Sequence, residues 1–359
     1  MNASARIADR LRNDIISGRL LPGCQMLSRR ELQAQLAGSS NAIQAALDEL
    51  VEEGFIKAHS RHGTFVAQYP PHRYRYGLVL PSLPDASGKF SSNYLNALCA
   101  AAKRLRFGGR RMTLHVACSQ DPDLPQHTRL RQCIARGSLA GLFLLDYQVA
   151  DHWLSLESSR FPIAITESSM TGPGLTKVVL DQRLWFDAAL DAVVARGLRS
   201  VAVLVVADSN AATMMAYIEA GSLRRGLRCR PWWVTAVDER WPEWAFNVAL
   251  GLCHQNQSET PDALLIADDN FVPAATRGVA ASGLLSVRPL TVIGHGNLPS
   301  LTPSAVPILR LCWDCEELLE RCVIRMEEHR DNGVPSPAET LPTLMMEPTE
   351  DTVSATRPR

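Results

Sequence analysis

The stretch that most constrains the fold of this chain is Ser28–Glu31, with the sequence Ser-Arg-Arg-Glu. This is a capping box, in which the serine hydroxyl accepts a hydrogen bond from the third following amide and the glutamate carboxylate accepts one from the serine amide. Ser39 or Ser40 is placed to cap another helix only a few residues later. Two helix starts this close together predict a helix-turn-helix.

Apolar spacing predicts the packing of these helices. Ile7, Leu11 and Ile15 recur every four residues, which predicts a first helix over 3–17 that ends at Gly18. The third helix has a core-facing stripe of Ile43, Ala46, Leu47, Leu50 and Val51.

Two short strands, Phe55–Ala58 and Thr64–Ala67, follow the third helix and predict a β-ribbon, or wing, with basic residues at its tip. The exposed face of the third helix begins with polar, uncharged residues and ends with Asp48, Glu49, Glu52 and Glu53. A recognition helix enters the major groove by its N-terminal residues, so the acidic end lies where DNA docking tolerates it. The predicted DNA contacts are Ser28, Arg29, Arg30, Ser39, Ser40, Asn41, Gln44, Arg61, His62, Gly63 and Thr64.

Residues 5–67 resemble the DNA-binding domain of GntR-type transcriptional regulators. The shared motifs are Ser17–Gly23, Ser28–Leu32, Ala46–Leu50, the Glu-Gly-Phe-Ile run and the Gly-Thr-Phe-Val wing. Arg30 matches an arginine with which the family contacts DNA, and Arg29 is an additional positive charge.

The chain departs from the family at three predicted contacts. Ser40 and Gln44 stand where the family usually has arginines, and His62 stands where it often has a basic residue. Gln44 can pair with adenine instead. The alternative is an altered, weaker site whose affinity depends on dimerisation, or a module that has lost DNA binding.

The charge distribution agrees with a DNA-binding N-terminus. The whole chain has a formal net charge of zero, but residues 1–75 contain ten basic and seven acidic residues, a net charge of +3. The sequence contains no signal peptide and no apolar run that predicts a membrane span, so we expect a cytoplasmic protein. The nine cysteines are irregularly spaced, and the Cys312-x-x-Cys315 pair with Cys322 is interpreted as core thiols on an amphipathic helix rather than a metal site.

After a Pro-interrupted connector, strand-like runs alternate with helical ones, which predicts parallel sheets covered by helices. The predicted strands are Tyr76–Leu80, Met112–Cys118, Leu139–Leu145, Ile163–Thr166, Val178–Leu180, Val201–Val206, Cys229–Val234, Ala263–Ala267 and Leu290–Ile293. The predicted helices lie near 91–107, 126–136, 149–159, 183–196, 211–225, 242–256 and 271–282. About 280 residues is large for one core, so two lobes are expected.

This segment resembles the effector-binding domain of LacI-type repressors, which has the fold of periplasmic sugar-binding proteins. The similarity is carried by Tyr76–Pro81, Val178–Asp181, Ala195–Ala202, Pro261–Asp269 and Val292–His295. The fold class is therefore α/β, with an N-terminal winged helix-turn-helix and a two-lobed, type I periplasmic-binding-protein-like body of parallel sheets. The implied domains are a winged helix-turn-helix at 1–68, a linker at 69–75, an effector-binding and dimerisation body at 76–346, and a disordered tail at 347–359.

The resemblance implies a small-molecule effector, a sugar or related metabolite, bound between the lobes. Asp269 falls on the family's ligand-binding aspartate, and Asp181 stands at a strand end, where it binds ligand or caps the next helix. Trp185 replaces a usually small residue and either stacks on a ligand or belongs to the core. Thr213 and Gly296-Asn297 replace an arginine and an Asp-Asp pair of the family, so the pocket is either reshaped for another ligand or degenerate.

An enzyme is not predicted, because the chain has no P-loop, nucleophile elbow or His-Glu-x-x-His motif. The sequence predicts a homodimeric transcriptional regulator that binds double-stranded operator DNA and needs no cofactor or metal. Its DNA affinity is expected to change when the effector binds. The alternative is a body that serves only as a scaffold for dimerisation or protein interaction.

Overall fold

The computed structural model describes residues 2–80, 92–116, 123–145, 161–166, 174–254 and 259–348. The chain divides into two compact units. The first consists of Met1–Leu83, Ala102–Val178 and Glu320–Ala338, and the second of Pro84–Ala101, Val179–Leu319 and Glu339–Arg359. The predicted helix at 149–159 and residues 349–359 of the predicted tail lie outside the described residues.

The described helices and strands are numbered here in chain order. The helices are α1 Ala3–Ile16, α2 Arg29–Leu36, α3 Ser40–Glu53, α4 Pro71–Tyr74, α5 Asn93–Arg104, α6 Pro125–Ala135, α7 Gln182–Ala195, α8 Ala211–Arg224, α9 Trp244–Leu252, α10 Val272–Ala281 and α11 Cys315–Asn332. The strands are β1 Ile56–His59, β2 Gly63–Val66, β3 Arg75–Leu80, β4 Arg111–Val116, β5 Gly141–Leu144, β6 Ile163–Ile165, β7 Leu175–Val179, β8 Val201–Val206, β9 Val234–Val237, β10 Ala263–Ile266, β11 Thr291–Leu298, β12 Leu309–Asp314, β13 Glu339–Thr340 and β14 Leu344–Met346.

The N-terminal module is the predicted winged helix-turn-helix. Helices α1, α2 and α3 pack around one apolar core, and strands β1 and β2 form an antiparallel ribbon. The predicted stripes of α1 and α3 are buried, with one exception. Val51 was predicted to face the core but is 42% exposed, because the apolar stripe of α3 ends at Leu50, just before Gly54 terminates the helix in a left-handed conformation.

The predicted connector at 69–75 has regular structure. Pro71–Tyr74 forms the short helix α4, and Arg75 already belongs to β3. The His72 ring stacks on Phe55 of the winged module with 6.0 Å between centroids and 10° between ring planes. Burial lowers the pKa of His72 to about 4, so the stacked ring is neutral at neutral pH.

The first unit contains five parallel strands in the order β4-β3-β5-β6-β7. Its apolar core lies against helix α6 and includes Val79, Leu130, Leu142 and Ile163. The second unit contains five parallel strands in the order β9-β8-β10-β11-β12, with β14 antiparallel to β12 at the edge. The predicted fold class, a helical DNA-binding module followed by sheets of mainly parallel strands, is confirmed.

Two predictions within the second unit were wrong in detail. The predicted strand Cys229–Val234 is a single 3₁₀ turn at Pro231–Trp233, and the strand is Val234–Val237. Pro231 has no amide hydrogen and a fixed φ, which favour a helical start over a ladder position. Cys312, placed on a helix with Cys315, lies in strand β12, whereas Cys315 opens α11.

The cysteines Cys312, Cys315 and Cys322 are all buried, and burial raises the pKa of each thiol. No cluster of three or more His, Cys, Asp or Glu side chains suited to a metal ion occurs in the described part of the chain. Nor is any described helix long and apolar enough to cross a membrane.

Candidate DNA interface and ligand pocket

Side-chain caps fix the beginnings of α2 and α3. The Glu31 amide donates to Ser28 Oγ at 3.3 Å, and the Ser28 amide donates to Glu31 Oε2 at 2.8 Å, which completes the predicted capping box. The Ser28 side chain, and next its backbone amide, lower the pKa of the Glu31 carboxyl by hydrogen bonding to its charged form. The Ala42 amide donates to Ser39 Oγ at 3.2 Å, so Ser39 is the cap of α3. The predicted contacts at these two helix starts are all exposed: Ser28, Arg29, Arg30, Ser39, Ser40 and Asn41.

Gln44 is not an isolated polar side chain on α3. Arg29 Nη1 donates to Gln44 Oε1 at 2.8 Å, and Gln44 Nε2 donates to Asp48 Oδ1 at 2.7 Å. The oxygen and the nitrogen of the Gln44 amide therefore each make one hydrogen bond within the protein. The contact with Gln44 places the positively charged Arg29 side chain of α2 against the recognition helix α3.

Glycine geometry shapes the tip of the wing. Gly63 has a φ of +100°, and a Cβ at this position would lie 2.8 Å from Gln25 Nε2. Gln25 Nε2 donates to the His62 carbonyl at 3.1 Å and supports the turn. Arg61, with a positive φ of 65°, and His62 are exposed at the tip, whereas Thr64 is half-buried.

The acidic end of α3 faces arginines of the same unit. Arg12 is 2% exposed and donates to Glu53 Oε2 at 2.8 Å, to Glu49 Oε1 at 3.2 Å and to Asp9. Arg136, at the end of α6, lies 3.2 Å from Glu53 Oε1 through its Nη1. Two of the four acidic residues at this end of the recognition helix, Glu49 and Glu53, are therefore paired with arginines of the protein.

A pocket lies at the carboxyl ends of the parallel strands of the second unit. It has about 420 Å³ of free space, part of it open to solvent. Its walls are mainly aromatic and apolar, and include Trp185, Phe186, Val205, Met214 and Trp313. Its polar lining residues are Gln182, Asp208, Asn210 and His295. Open α/β sheets bind ligands at this edge.

Two buried ring nitrogens on the pocket wall have no hydrogen-bond partner among the described residues, His295 Nε2 and Trp313 Nε1. Their side chains are 6% and 8% exposed, and the ring centroids are 4.7 Å apart. Burial holds the pKa of His295 well below its usual range, so the ring is neutral. Buried polar atoms are normally paired, so these nitrogens point to a missing polar partner.

The pocket wall is poor in positive charge. Among the lining residues that the structure describes, Asp208 is the only charged side chain, and it is exposed. Arg310 is buried nearby but donates to the His295 carbonyl at 3.0 Å and to Thr302. The described wall therefore offers no arginine or lysine side chain that could pair with an anionic ligand.

Asp269 lies in a buried hydrogen-bond network and is not a lining residue of the pocket. It is 2% exposed, and its Oδ2 accepts from Asn93 Nδ2 at 2.6 Å and from Asn297 Nδ2 at 2.9 Å. Burial raises the pKa of Asp269, and burial together with the Asp269 charge raises that of Asp268. This network ties strands β10 and β11 to the start of α5.

The other two predicted ligand residues have different positions. Asp181 Oδ1 accepts from the Arg183 amide at 2.9 Å, so Asp181 caps α7, as one of its two interpretations predicted. Trp185 forms part of the pocket wall, but its Nε1 donates to the Leu311 carbonyl at 3.0 Å. Ligand contacts by Asp181, Trp185 and Asp269 stay predictions.

Sequence reasoning missed His295 and Trp313. His295 was part of a recognised motif but received no role, because β11 was predicted to end at Ile293. Trp313 lies on β12, which was not predicted. The available signal was the apolar run before Asp314, which is typical of a buried strand. Asp314 marks the end of that strand, because it caps the following helix by accepting from the Glu316 amide at 2.8 Å.

Residues 3–66 match the family of bacterial regulatory proteins called the gntR family. The N-terminal domain is thus a gntR-family helix-turn-helix domain, and it agrees with the capped helices and wing described above. The match covers the winged module and not the body.

The body has the fold of LacI-family regulators. A LacI family transcriptional regulator from Bifidobacterium animalis subsp. lactis superposes with a TM-score of 0.55 at 18% identity, over 78% of this chain and 97% of that one. A LacI family regulator from Arthrobacter sp. FB24, solved in complex with lactose, gives a TM-score of 0.55 at 15% identity, over 77% and 98%.

A third structure is the Cra transcriptional dual regulator of Pseudomonas putida in complex with fructose 1-phosphate. It superposes with a TM-score of 0.50 at 14% identity, over 77% of this chain and 99% of that one. The chain thus joins a gntR-family helix-turn-helix domain to a body with the fold of LacI-family regulators.

Proposed function

We propose that this regulator binds double-stranded operator DNA as a homodimer and that its DNA affinity changes when an uncharged small molecule occupies the pocket of the second unit. A sugar or a related metabolite is the proposed effector. The observation that carries the ligand part of the proposal is the pair of unpartnered buried nitrogens, His295 Nε2 and Trp313 Nε1.

The DNA part rests on the winged module. The polar starts of α2 and α3 are both exposed, and two of the four acidic residues at the end of α3, Glu49 and Glu53, are paired with Arg12 and Arg136. A recognition helix of this type reads one half-site, so a homodimer would read two half-sites related by symmetry. A cytoplasmic location follows from operator DNA as the partner.

Pocket chemistry supports an uncharged effector. Tryptophan Nε1 is a donor only, so Trp313 requires an acceptor such as a hydroxyl or carbonyl oxygen on the ligand. The Trp185, Phe186 and Trp313 rings can pack on the C–H faces of a sugar or on another ring. Because Asp208 is the only charged lining residue described, a phosphorylated compound is disfavoured.

DNA binding is tested by fluorescence anisotropy of the full-length chain with a labelled duplex at increasing salt. We expect saturable binding that weakens steeply with salt, because phosphate contacts release counterions. Arg30→Ala should reduce the affinity. Absence of binding even at low salt would contradict the proposed function.

Ligand binding is tested by thermal-shift measurements on the full-length chain with neutral sugars, including lactose, and with sugar phosphates, including fructose 1-phosphate. We expect a shift from a neutral compound and none from the phosphates. Trp313→Phe keeps the ring but removes the donor, and should weaken binding about fivefold, since such a hydrogen bond contributes about 1 kcal/mol. Trp232→Phe is the matched control, because Trp232 is 66% exposed and does not line the pocket.

A second candidate is a body that serves only as a dimerisation or interaction scaffold. Two observations favour it: the large Trp185 ring forms part of the pocket wall, and Asp269 Oδ2 already accepts hydrogen bonds from Asn93 and Asn297. If no compound shifts the melting temperature and none changes DNA affinity, the scaffold is the correct function.

A further inference from the structure

The recognition helix α3 has no positive charge in its first turns. Ser40 and Asn41 are exposed there, Gln44 is half-buried, and the next exposed polar side chain on this face, Asp48, is negative. Arginine is the side chain that most often reads a base edge, by a bidentate contact with guanine. Any such contact near these turns must therefore come from another element.

Arg29, the first residue of α2, reaches across the turn onto α3. Its Nη1 donates to Gln44 Oε1 at 2.8 Å, fifteen positions along the chain. No other hydrogen bond or ion pair of Arg29 occurs within the described residues. Its Nε and Nη2 groups are therefore available as two adjacent hydrogen-bond donors. The neighbouring Arg30 has no such contact with α3 in the described part of the chain.

Gln44 is itself held from the other side. Its Nε2 donates to Asp48 Oδ1 at 2.7 Å, one helical turn further on. A glutamine that reads adenine uses both its amide oxygen and its amide nitrogen on the base. Here both are already engaged, the oxygen by a cation and the nitrogen by a carboxylate. Hydrogen bonds to charged groups are the stronger kind, so the amide orientation is well determined.

From this chain of contacts we infer that Arg29 is a specificity-determining residue that reads a guanine in the major groove, and that Gln44 and Asp48 are positioning residues that orient it. The inference rests on the proposed DNA binding. The adenine contact predicted for Gln44 is replaced by a guanine contact from α2. A phosphate contact by Arg29 is the competing possibility, and it would carry no base preference.

The test is an in vitro selection of duplexes from a random pool by the full-length wild-type protein, Arg29→Lys and Arg29→Ala. We expect the wild type to select a guanine in each half-site that both variants lose. Arg29→Ala should bind the selected duplex about tenfold to a hundredfold more weakly. Its loss on a random-sequence duplex should be only a few-fold. Arg29→Lys keeps the charge, so it separates base reading from simple attraction to phosphate.

Arg10→Ala is the matched control, because Arg10 is exposed on α1 and its removal takes away the same charge from the same module. It should leave the selected sequence unchanged. Gln44→Ala and Asp48→Asn should relax the preference at the same guanine position while other positions stay as selected. Circular dichroism and thermal melting verify that each variant is folded.

The outcomes separate the two claims. If the wild type selects no sequence and binds no duplex, the proposed function fails. If the wild type selects a sequence and Arg29→Ala selects the same one with a uniform loss of affinity, Arg29 contacts phosphate and the inference is overturned. If Gln44→Ala leaves the guanine preference intact, the positioning role is wrong.

Discussion

The winged module and the polar centre of the second unit are built by hydrogen bonds of very different range. Ser28 and Glu31, which start α2, are three residues apart, and so are Ser39 and Ala42 at the start of α3. Asp269 joins Asn297 and Asn93, which are 28 and 176 residues away. The first kind of contact is visible in a sequence pattern, whereas the second exists only after the chain has folded.

The winged module also contains one cluster of long-range polar contacts, around Arg12. Arg12 lies on α1, but its carboxylate partners Glu49 and Glu53 are 37 and 41 residues away on α3. Its guanidinium also lies 5.9 Å from the centre of the Phe55 ring. The module therefore depends on one long-range polar cluster as well as on its local caps.

The largest expected effect on stability comes from removing Arg12, the centre of the long-range cluster in the winged module. Arg12→Ala leaves Asp9, Glu49 and Glu53 without their shared partner and should lower the local unfolding free energy of α1 and α3 by about 3 kcal/mol. Native-state hydrogen exchange of the full-length chain measures this quantity. Arg10→Ala, an exposed arginine on the same helix, should change it by less than about 0.5 kcal/mol. Equal effects of the two variants would show that the Arg12 cluster contributes nothing specific.

Asp269→Ala tests the long-range network of the second unit. Two amide donors, from the buried Asn297 and the half-buried Asn93, lose a charged acceptor, which should cost about 2 kcal/mol. Exchange of the β10 and β11 amides should accelerate, while the winged module stays unchanged. Asp208→Ala is the control because Asp208 is exposed. A loss of protection spread evenly over both regions would contradict the independence of the two sites.

A smaller effect is expected for the local cap of α2. Ser28→Ala removes the acceptor of the Glu31 amide and should destabilise α2 by about 1 kcal/mol. The amides of α2 should report it by faster exchange, and those of β10 should not. Ser209→Ala, an exposed serine of the second unit, should leave α2 unchanged. An unaffected α2 in Ser28→Ala would mean that packing alone fixes the helix start.

The smallest effect is a pH dependence of the same cap. The Ser28 hydrogen bonds lower the folded-state pKa of Glu31, so their stabilisation is complete above the unfolded-state pKa and is lost as pH falls through the folded-state pKa. Stability of α2 should therefore decrease as the pH falls below about 4.3, the ordinary pKa of a glutamate. Glu31→Gln should remove this dependence. Hydrogen exchange corrected for its intrinsic pH dependence gives the comparison, and identical profiles would refute the role of Glu31.

Much of the fold could be predicted because its signals are local. Cap residues and apolar stripes gave the helices of the winged module, and the alternation of apolar runs with helices gave most strands of both sheets. Val51 was misplaced because helical spacing continues past the point where the core ends. The strand at Cys229–Val234 was misplaced because an apolar run outweighed the effect of Pro231.

The sites were harder to predict than the fold. Asp181 was interpreted correctly as a possible helix cap, since capping depends on neighbouring amides. Asp269 was recognised by its motif, yet its Oδ2 accepts hydrogen bonds from side-chain amides of distant segments. His295 and Trp313 met in the pocket only because β11 and β12 are neighbours in the sheet.

The sequence by itself determined that the chain begins with a capped, winged helix-turn-helix and continues as an α/β body, because caps, stripes and strand runs act over a few residues. Only the tertiary structure decided which polar groups are available. Folding joins Arg29 to Gln44, Asp269 to its two asparagines, and His295 to Trp313. A buried or paired polar group is satisfied by whatever segment the fold brings within about 3 Å, and that distance is not encoded in spacing along the chain.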